Sequence, residues 1–166
     1  KAEWEKRRAG PFEPLPRNVT VALVGHRAAG KSQLLPRAAE LLGRFAVDLD
    51  DELVLRTGRE LKDWVENDEP GFRLAERACF ESLQPGIVVA CGGGFLAHHP
   101  DALKSCVAVI APISFETYRA RLLADPAGPG CAPDPTQGRA GERCDRHEFR
   151  SIGAFRRFID VGRYRT

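Results

Sequence analysis

Methionine is absent from all 166 residues. Lys1 is therefore not expected to be a translational start: the chain either begins downstream of its initiator or forms the C-terminal part of a longer protein. Long apolar runs are missing too. VTVALVG, residues 19–25, is only strand length, well short of the roughly 18 residues of a membrane span, so no membrane role is expected. No secretory leader pattern is visible. The five cysteines, Cys79, Cys91, Cys106, Cys131 and Cys144, contain no CxxC pair. An odd count without metal spacing fits a reducing cytoplasm, and three of the five lie in or beside apolar segments, where Cys acts as a small hydrophobe. Zinc is not expected, since His98 and His99 adjoin one another and no second ligand pair has suitable spacing. A strong charge of one sign is also lacking. With 29% charged residues and a net charge of +2, a dedicated nucleic-acid binder is disfavoured.

What remains is one domain's worth of chain, 43% hydrophobic and able to bury a core. Residues 1–18 are basic and then punctuated by Pro11, Pro14 and Pro16, the composition of a linker, and they lead into a domain spanning 19–166. VTVALVG reads as a buried strand and KSQLLPRAAELLG as a helix closed by Gly43. Pro36 removes a backbone bond to Ser32 and is expected to bend or loosen that helix. RFAVDLD is a second strand, followed by three helical pieces in DELVLRTG, ELKDWVEND and PGFRLAERACFESL. GIVVACGGG is a third strand, DALKS a short helix, CVAVIAP a fourth strand, and SFETYRARLLAD a helix capped by Ser114. HEFRSIGAFRRF reads as a last helix and FIDVG as an edge strand. Strands alternating with helices in this way predict a parallel α/β sheet covered on both faces.

GHRAAGKS, Gly25 to Ser32, matches GxxxxGK[ST] between a predicted strand and helix, the context in which that pattern cradles phosphate. Its glycines let several backbone N–H groups face one phosphate. The helix start adds partial positive charge, Lys31 reaches the outer phosphates, and the Ser32 hydroxyl can ligate Mg2+. The competing reading is a glycine-rich turn with no ligand.

Asp48 and Asp50 are read at the end of the second strand, 17 and 19 residues after Lys31. Residues two apart on a strand share a face, so both carboxylates are expected to enter the crevice beyond the strand ends. Asp51 and Glu52 are read as an acidic helix start. Arg73, one turn into a helix after a glycine, suits a planar carboxylate through paired bonds, or else is a solvated surface arginine. Gly92, Gly93 and Gly94 follow the third strand, permitting close approach of backbone to a ligand or simply a tight turn. His98 and His99 fall where exposed histidines are common and are assigned no role.

The order GHRAAGKS, VDLDDELVLRTGRELKDWVENDEPGFRLAE, ACGGG and SFETYRARLLADP, over about residues 19–126, resembles shikimate kinase. The resemblance implies a three-layer P-loop kinase fold with a five-stranded parallel sheet. It also implies ATP-dependent phosphorylation of the shikimate 3-hydroxyl, a reaction of aromatic amino acid biosynthesis. Residues Gly25, His26, Arg27, Ala28, Ala29, Gly30, Lys31, Ser32 and Gln33 would then bind ATP, with Lys31 on the β- and γ-phosphates and Arg121 against the adenine. Ser32 and Asp48 would hold Mg2+, and Asp50 would orient and deprotonate the acceptor. Arg73 would clamp the shikimate carboxylate, while Gly93 and Gly94 would line the ring.

The same resemblance places a lid at about 124–146, in a segment rich in Gly, Pro and Arg. The arginine that the family's lid carries to the transferring phosphate falls at Gly128. Arg139, Arg143 and Arg146 are the candidates to replace it, and Arg146 also lies nearest the position of a second carboxylate clamp. Three readings therefore stand. The preferred one is a working kinase for shikimate or a similar hydroxylated acid. The second is a catalytically degenerate domain binding nucleotide or shikimate as a regulatory module behind an upstream domain. The third is another small-molecule P-loop kinase, such as one for gluconate.

Overall fold

The computed structural model describes residues 15–124. Their strands are β1 (Val21–Val24), β2 (Ala46–Asp48), β3 (Val88–Ala90) and β4 (Val107–Ile110). They form one parallel sheet in the order β2-β3-β1-β4, with Val21 opposite both Val88 and Val107. Four strands are thus present among the described residues. FIDVG, the fifth strand expected from sequence, lies outside them, as do the last helix, Gly128 and the lid arginines.

β1 shows why the sheet is covered twice. Alternate residues of a strand face opposite sides, and here all four are buried. Ala22 and Val24 belong to a core with Leu49, Leu53, Trp64, Phe72, Phe80, Val89 and Phe95. Val21 and Leu23 belong to a second core with Leu35, Ala39, Val88 and Ala90. Helix α1 (Lys31–Leu42) supplies the second core, while α2 (Leu49–Thr57), α3 (Leu61–Glu81) and the short α4 (Phe95–His98) supply the first. Burying one such large apolar side chain is worth about 1.5–3 kcal/mol. A three-residue strand such as β3 is therefore held mainly by what covers its two faces.

The helices begin and end where their chemistry dictates. Gly43 adopts a left-handed conformation (φ 60°) and closes α1 by donating to the carbonyls of Ala39 and Glu40. In α2 the cap is Asp48, whose carboxylate accepts from the Asp50 backbone N–H at 3.1 Å. This corrects one expectation. The second strand stops at Asp48, so Asp50 stands in the first turn of a helix and does not share a strand face with it.

α3 is two helical pieces joined at Asp68 (φ −154°, ψ 67°), as the pattern of its sequence predicts. Asp68 accepts from Gly71 N–H at 3.0 Å, and Pro70 sits in the new first turn, where its missing N–H costs nothing. The last helix among the described residues, α5 (Phe115–Ala124), is capped by Ser114, which accepts from Thr117 N–H at 3.2 Å. Residues 15–18, assigned by composition to the linker, lie against the domain. There Arg44 donates to the carbonyls of Leu15, Pro16 and Val19.

Pro36 does not break α1, which runs unbroken from Lys31 to Leu42 with the ring exposed. The helix still lacks the bond that an N–H at 36 would make to Ser32. Pro36→Ala should therefore raise stability by about 1–2 kcal/mol, less than the full helix-interior penalty because proline also restrains the unfolded chain. Urea unfolding at neutral pH would show a higher midpoint at unchanged slope. A lower midpoint would mean that the unfolded-chain effect dominates.

Candidate functional site

The carboxyl ends of β1, β2 and β3 open into a cleft of about 480 Å³. One wall is the loop between β1 and α1. Gly30 precedes α1 with φ 83°, a conformation suited to glycine, and among the described residues no side chain caps the helix. The first N–H groups of α1 thus lack side-chain partners and carry the helix's partial positive charge, an arrangement suited to an anion. Ala28 also lies in the left-handed region (φ 58°), so the loop tip is a mildly strained turn.

Lys31 sits at the centre of this loop, buried, and donates to the carbonyls of Gly25 at 2.9 Å and His26 at 2.6 Å. Burial lowers its pKa, and the charges of Asp50 and Asp48 act in the opposite direction. Ser32 donates to Asp48 Oδ2 at 2.7 Å. That contact joins a helix start to a strand end 16 residues away and places two oxygen groups side by side.

Among the residues predicted to bind ATP, Arg27, Ala28, Gly30, Lys31, Ser32, Gln33 and Arg121 line the cleft. Gly25, His26 and Ala29 do not. The His26 side chain is buried and packs against Tyr118, with ring centroids 5.4 Å apart, and its carbonyl accepts from Lys31. Arg121 reaches back from α5 to donate to the Ala28 carbonyl at 2.6 Å.

The opposite wall is acidic and glycine-lined. Asp50 is largely buried, and its pKa is raised to about 6, first by burial and then by the charges of Asp48 and Glu76, with Lys31 opposing. A Cβ on Gly93 would lie 2.7 Å from the Arg27 backbone nitrogen, and one on Gly94 would lie 3.0 Å from Arg73 Nη2. Side chains at these two positions would separate the triglycine turn from the phosphate loop and from Arg73. Arg73 itself stands beside the cleft, held by Glu69 Oε1 at 3.1 Å and Glu76 Oε2 at 3.1 Å. Arg146 lies outside the described residues.

Two residues escaped the sequence reading. Glu76 is 1% exposed, and burial raises its pKa while Arg73 lowers it. Its Oε1 has no hydrogen-bond partner among the described residues and comes within 3.1 Å of where a Gly92 Cβ would stand, as does Asp50 Oδ1. The signal was present in GFRLAE, because residues three apart on a helix share a face. His99 is the other. Expected to be exposed, it is buried against Phe95, with ring centroids 5.0 Å apart, and its Nε2 lies 3.3 Å from Glu76 Oε2. Helix α4 is a single turn, which brings His99 back over the core instead of out to solvent.

A phosphate loop at a strand–helix junction, with carboxylates at the end of β2 facing it, defines a P-loop α/β protein built for phosphoryl chemistry. The particular family follows from comparison: the shikimate kinase model matches residues 27–148, and the chain belongs to the shikimate kinase family. A shikimate kinase from Synechococcus sp. (strain RCC307) is 33% identical over 138 residues, covering 78% of this chain and 71% of that protein. One from Acinetobacter baumannii (strain AYE) is 36% identical over 94 residues, and the chain spans half of that relative's length. The structure of shikimate kinase from Acinetobacter baumannii in complex with shikimate superposes with a TM-score of 0.66 and 26% identity. The match covers 82% of this chain and 81% of that one.

The raised pKa of Asp50 makes a stability prediction. Its folded value, about 6, lies above the unfolded value near 3.8. Between these, the folded state binds more protons than the unfolded state, so stability falls as pH rises through the window. The penalty is fully present above pH 6 and absent below about 3.8, and is at most about 3 kcal/mol. Asp50→Asn should therefore stabilise the protein at pH 7.5 and give little gain at pH 4. Denaturant titrations at the two pH values measure the difference, and an equal effect at both would refute the assignment.

Proposed function

We propose that this chain transfers the γ-phosphoryl group of ATP to the 3-hydroxyl of shikimate. One observation carries the reading. A buried lysine at the centre of a phosphate loop and a carboxylate with near-neutral pKa line the same cleft, beside a triglycine turn and an arginine. Family membership supports the choice of acceptor. Pro36, expected to loosen the helix that follows the phosphate loop, leaves α1 continuous, and nothing among the described residues favours a degenerate module.

The roles follow from position. The loop N–H groups and the α1 start would hold the phosphates, and Lys31 would spread its charge over the β- and γ-oxygens. Arg121, tied to the loop at Ala28, would lie against the nucleotide base. Ser32 Oγ and Asp48 Oδ2 form a hard oxygen pair that fits Mg2+, an ion that keeps several waters and uses few protein ligands. Bound there, Mg2+ would supply charge neutralisation for the phosphates.

Asp50 would accept the hydroxyl proton as the acceptor oxygen bonds to phosphorus and the bond to the β–γ bridging oxygen breaks. A pKa of about 6 leaves this base mostly ionised at neutral pH yet basic enough to take a proton. Glu76 Oε1, a buried acceptor facing the same space, would receive a ring hydroxyl. Arg73 would take the substrate carboxylate in place of its present glutamate partners.

Lys31→Ala should lower kcat/KM by at least about a hundredfold. Asp50→Asn should lower kcat by about 10²–10⁴ with ATP affinity kept. Arg73→Lys should raise KM for shikimate roughly tenfold or more and leave KM for ATP unchanged, since lysine lacks the planar pair of donors. Shikimate-dependent ADP release measures all three. Normal turnover by the Asp50 variant would remove that residue from the chemistry, and absence of shikimate-dependent release in the parent chain would sink the whole reading.

A further inference from the structure

Arg73 is not idle before a substrate arrives: Glu69 and Glu76 hold it from two sides. A carboxylate substrate must therefore compete with these glutamates. Glu69 is half exposed and regains water on release. Glu76 is 1% exposed and has no such recourse. A buried carboxylate that loses a charged partner needs a replacement donor, or its own proton, in the same place. Among the described residues, one group is placed for this. His99 Nε2 stands 3.3 Å from the same Oε2 atom that Arg73 Nη1 contacts at 3.1 Å. The ring is not aligned for a hydrogen bond, and His99 Nε2 is a buried polar atom without a partner among the described residues.

We infer that His99 is a positioning residue for the acid-bearing substrate: it takes over Glu76 Oε2 when Arg73 turns to the substrate carboxylate. The inference rests on the shikimate kinase reading given above. Its surroundings explain why the handover responds to the ligand. On α3, Arg73 and Arg77 face the ring with positive charge, and Glu76 and Glu81 with negative charge. From its own loop Asp101 adds negative charge, and the His98 ring is 6.3 Å away. Burial and the two arginines hold the His99 pKa below its ordinary value. A substrate carboxylate on Arg73 cancels part of that repulsion, so binding should favour a proton on His99 and strengthen its hold on Glu76. Phe95 packs against the ring and fixes its place.

Two substitutions separate this from simple packing. His99→Phe keeps a ring against Phe95 but has no donor, and His99→Gln keeps an N–H donor but cannot titrate. With the full chain, His99→Phe should raise KM for shikimate about tenfold with kcat and KM for ATP little changed, and His99→Gln should restore most of the loss. Calorimetry of shikimate binding at pH 6 in two buffers of different ionisation heat should show greater proton uptake by the parent than by either variant, the change at Asp50 being common to all three. An unchanged shikimate KM in His99→Phe, with the parent active, would overturn the proposal alone. A parent without any response to shikimate would overturn the functional reading as well. Independent of ligand, ¹⁵N NMR of the ring should register Glu76→Gln as a changed His99 titration. An unaffected titration would overturn the pairing whatever the substrate is.

Discussion

The arrangement depends on keeping an ammonium group charged inside a turn of backbone. Lys31 is buried at the start of α1, and desolvation alone would favour its neutral form. Two carbonyls of its own loop accept hydrogen bonds from it, and carboxylates across the cleft supply the opposing charge. The loop carbonyls require the tight path from Gly25 through Gly30, and the carboxylates require β2 to end beside α1. The contact from Ser32 to Asp48 marks where those two demands meet.

The acidic side has the complementary difficulty. Burial raises the proton affinity of Asp50, the charges of Asp48 and Glu76 raise it further, and Lys31 offsets this only in part. The result is the near-neutral pKa of Asp50, a cost to stability that would serve proton transfer in the proposed role. Arg73 has the inverse arrangement, a cation supplied with more acid than it needs. If Arg73 takes the substrate carboxylate as proposed, recognition of an acid would be tied to the release of a buried glutamate.

Much of this was legible from residue patterns. The apolar run ending at Gly25, the helical spacing to Gly43 and the three pieces between Asp51 and Leu83 all appear where periodicity and punctuation put them. So do Lys31 and Ser32 in the phosphate loop. Other features were misplaced for identifiable reasons. Asp50 was assigned to a strand because alternation and helix capping share the same letters in VDLDDE. The chain resolves the ambiguity by making Asp48 the cap. Glu76 was passed over because an acid on a helix is ordinarily solvated. His99 was passed over because a histidine after a glycine turn is ordinarily exposed.

The amino-acid sequence by itself determined the phosphate loop, the two-faced sheet and the family, because these rest on local geometry: spacing, turn residues and strand-to-helix alternation. Only the tertiary structure decided which charges are buried together. Burial of Glu76 and His99 depends on how α3 and the single-turn α4 pack over the first core, at Phe80 and Phe95, and the Asp50 pKa depends on neighbours 2 and 26 residues away. Electrostatic strength inside a protein is set by exclusion of water, and no local pattern of residues records where water is excluded.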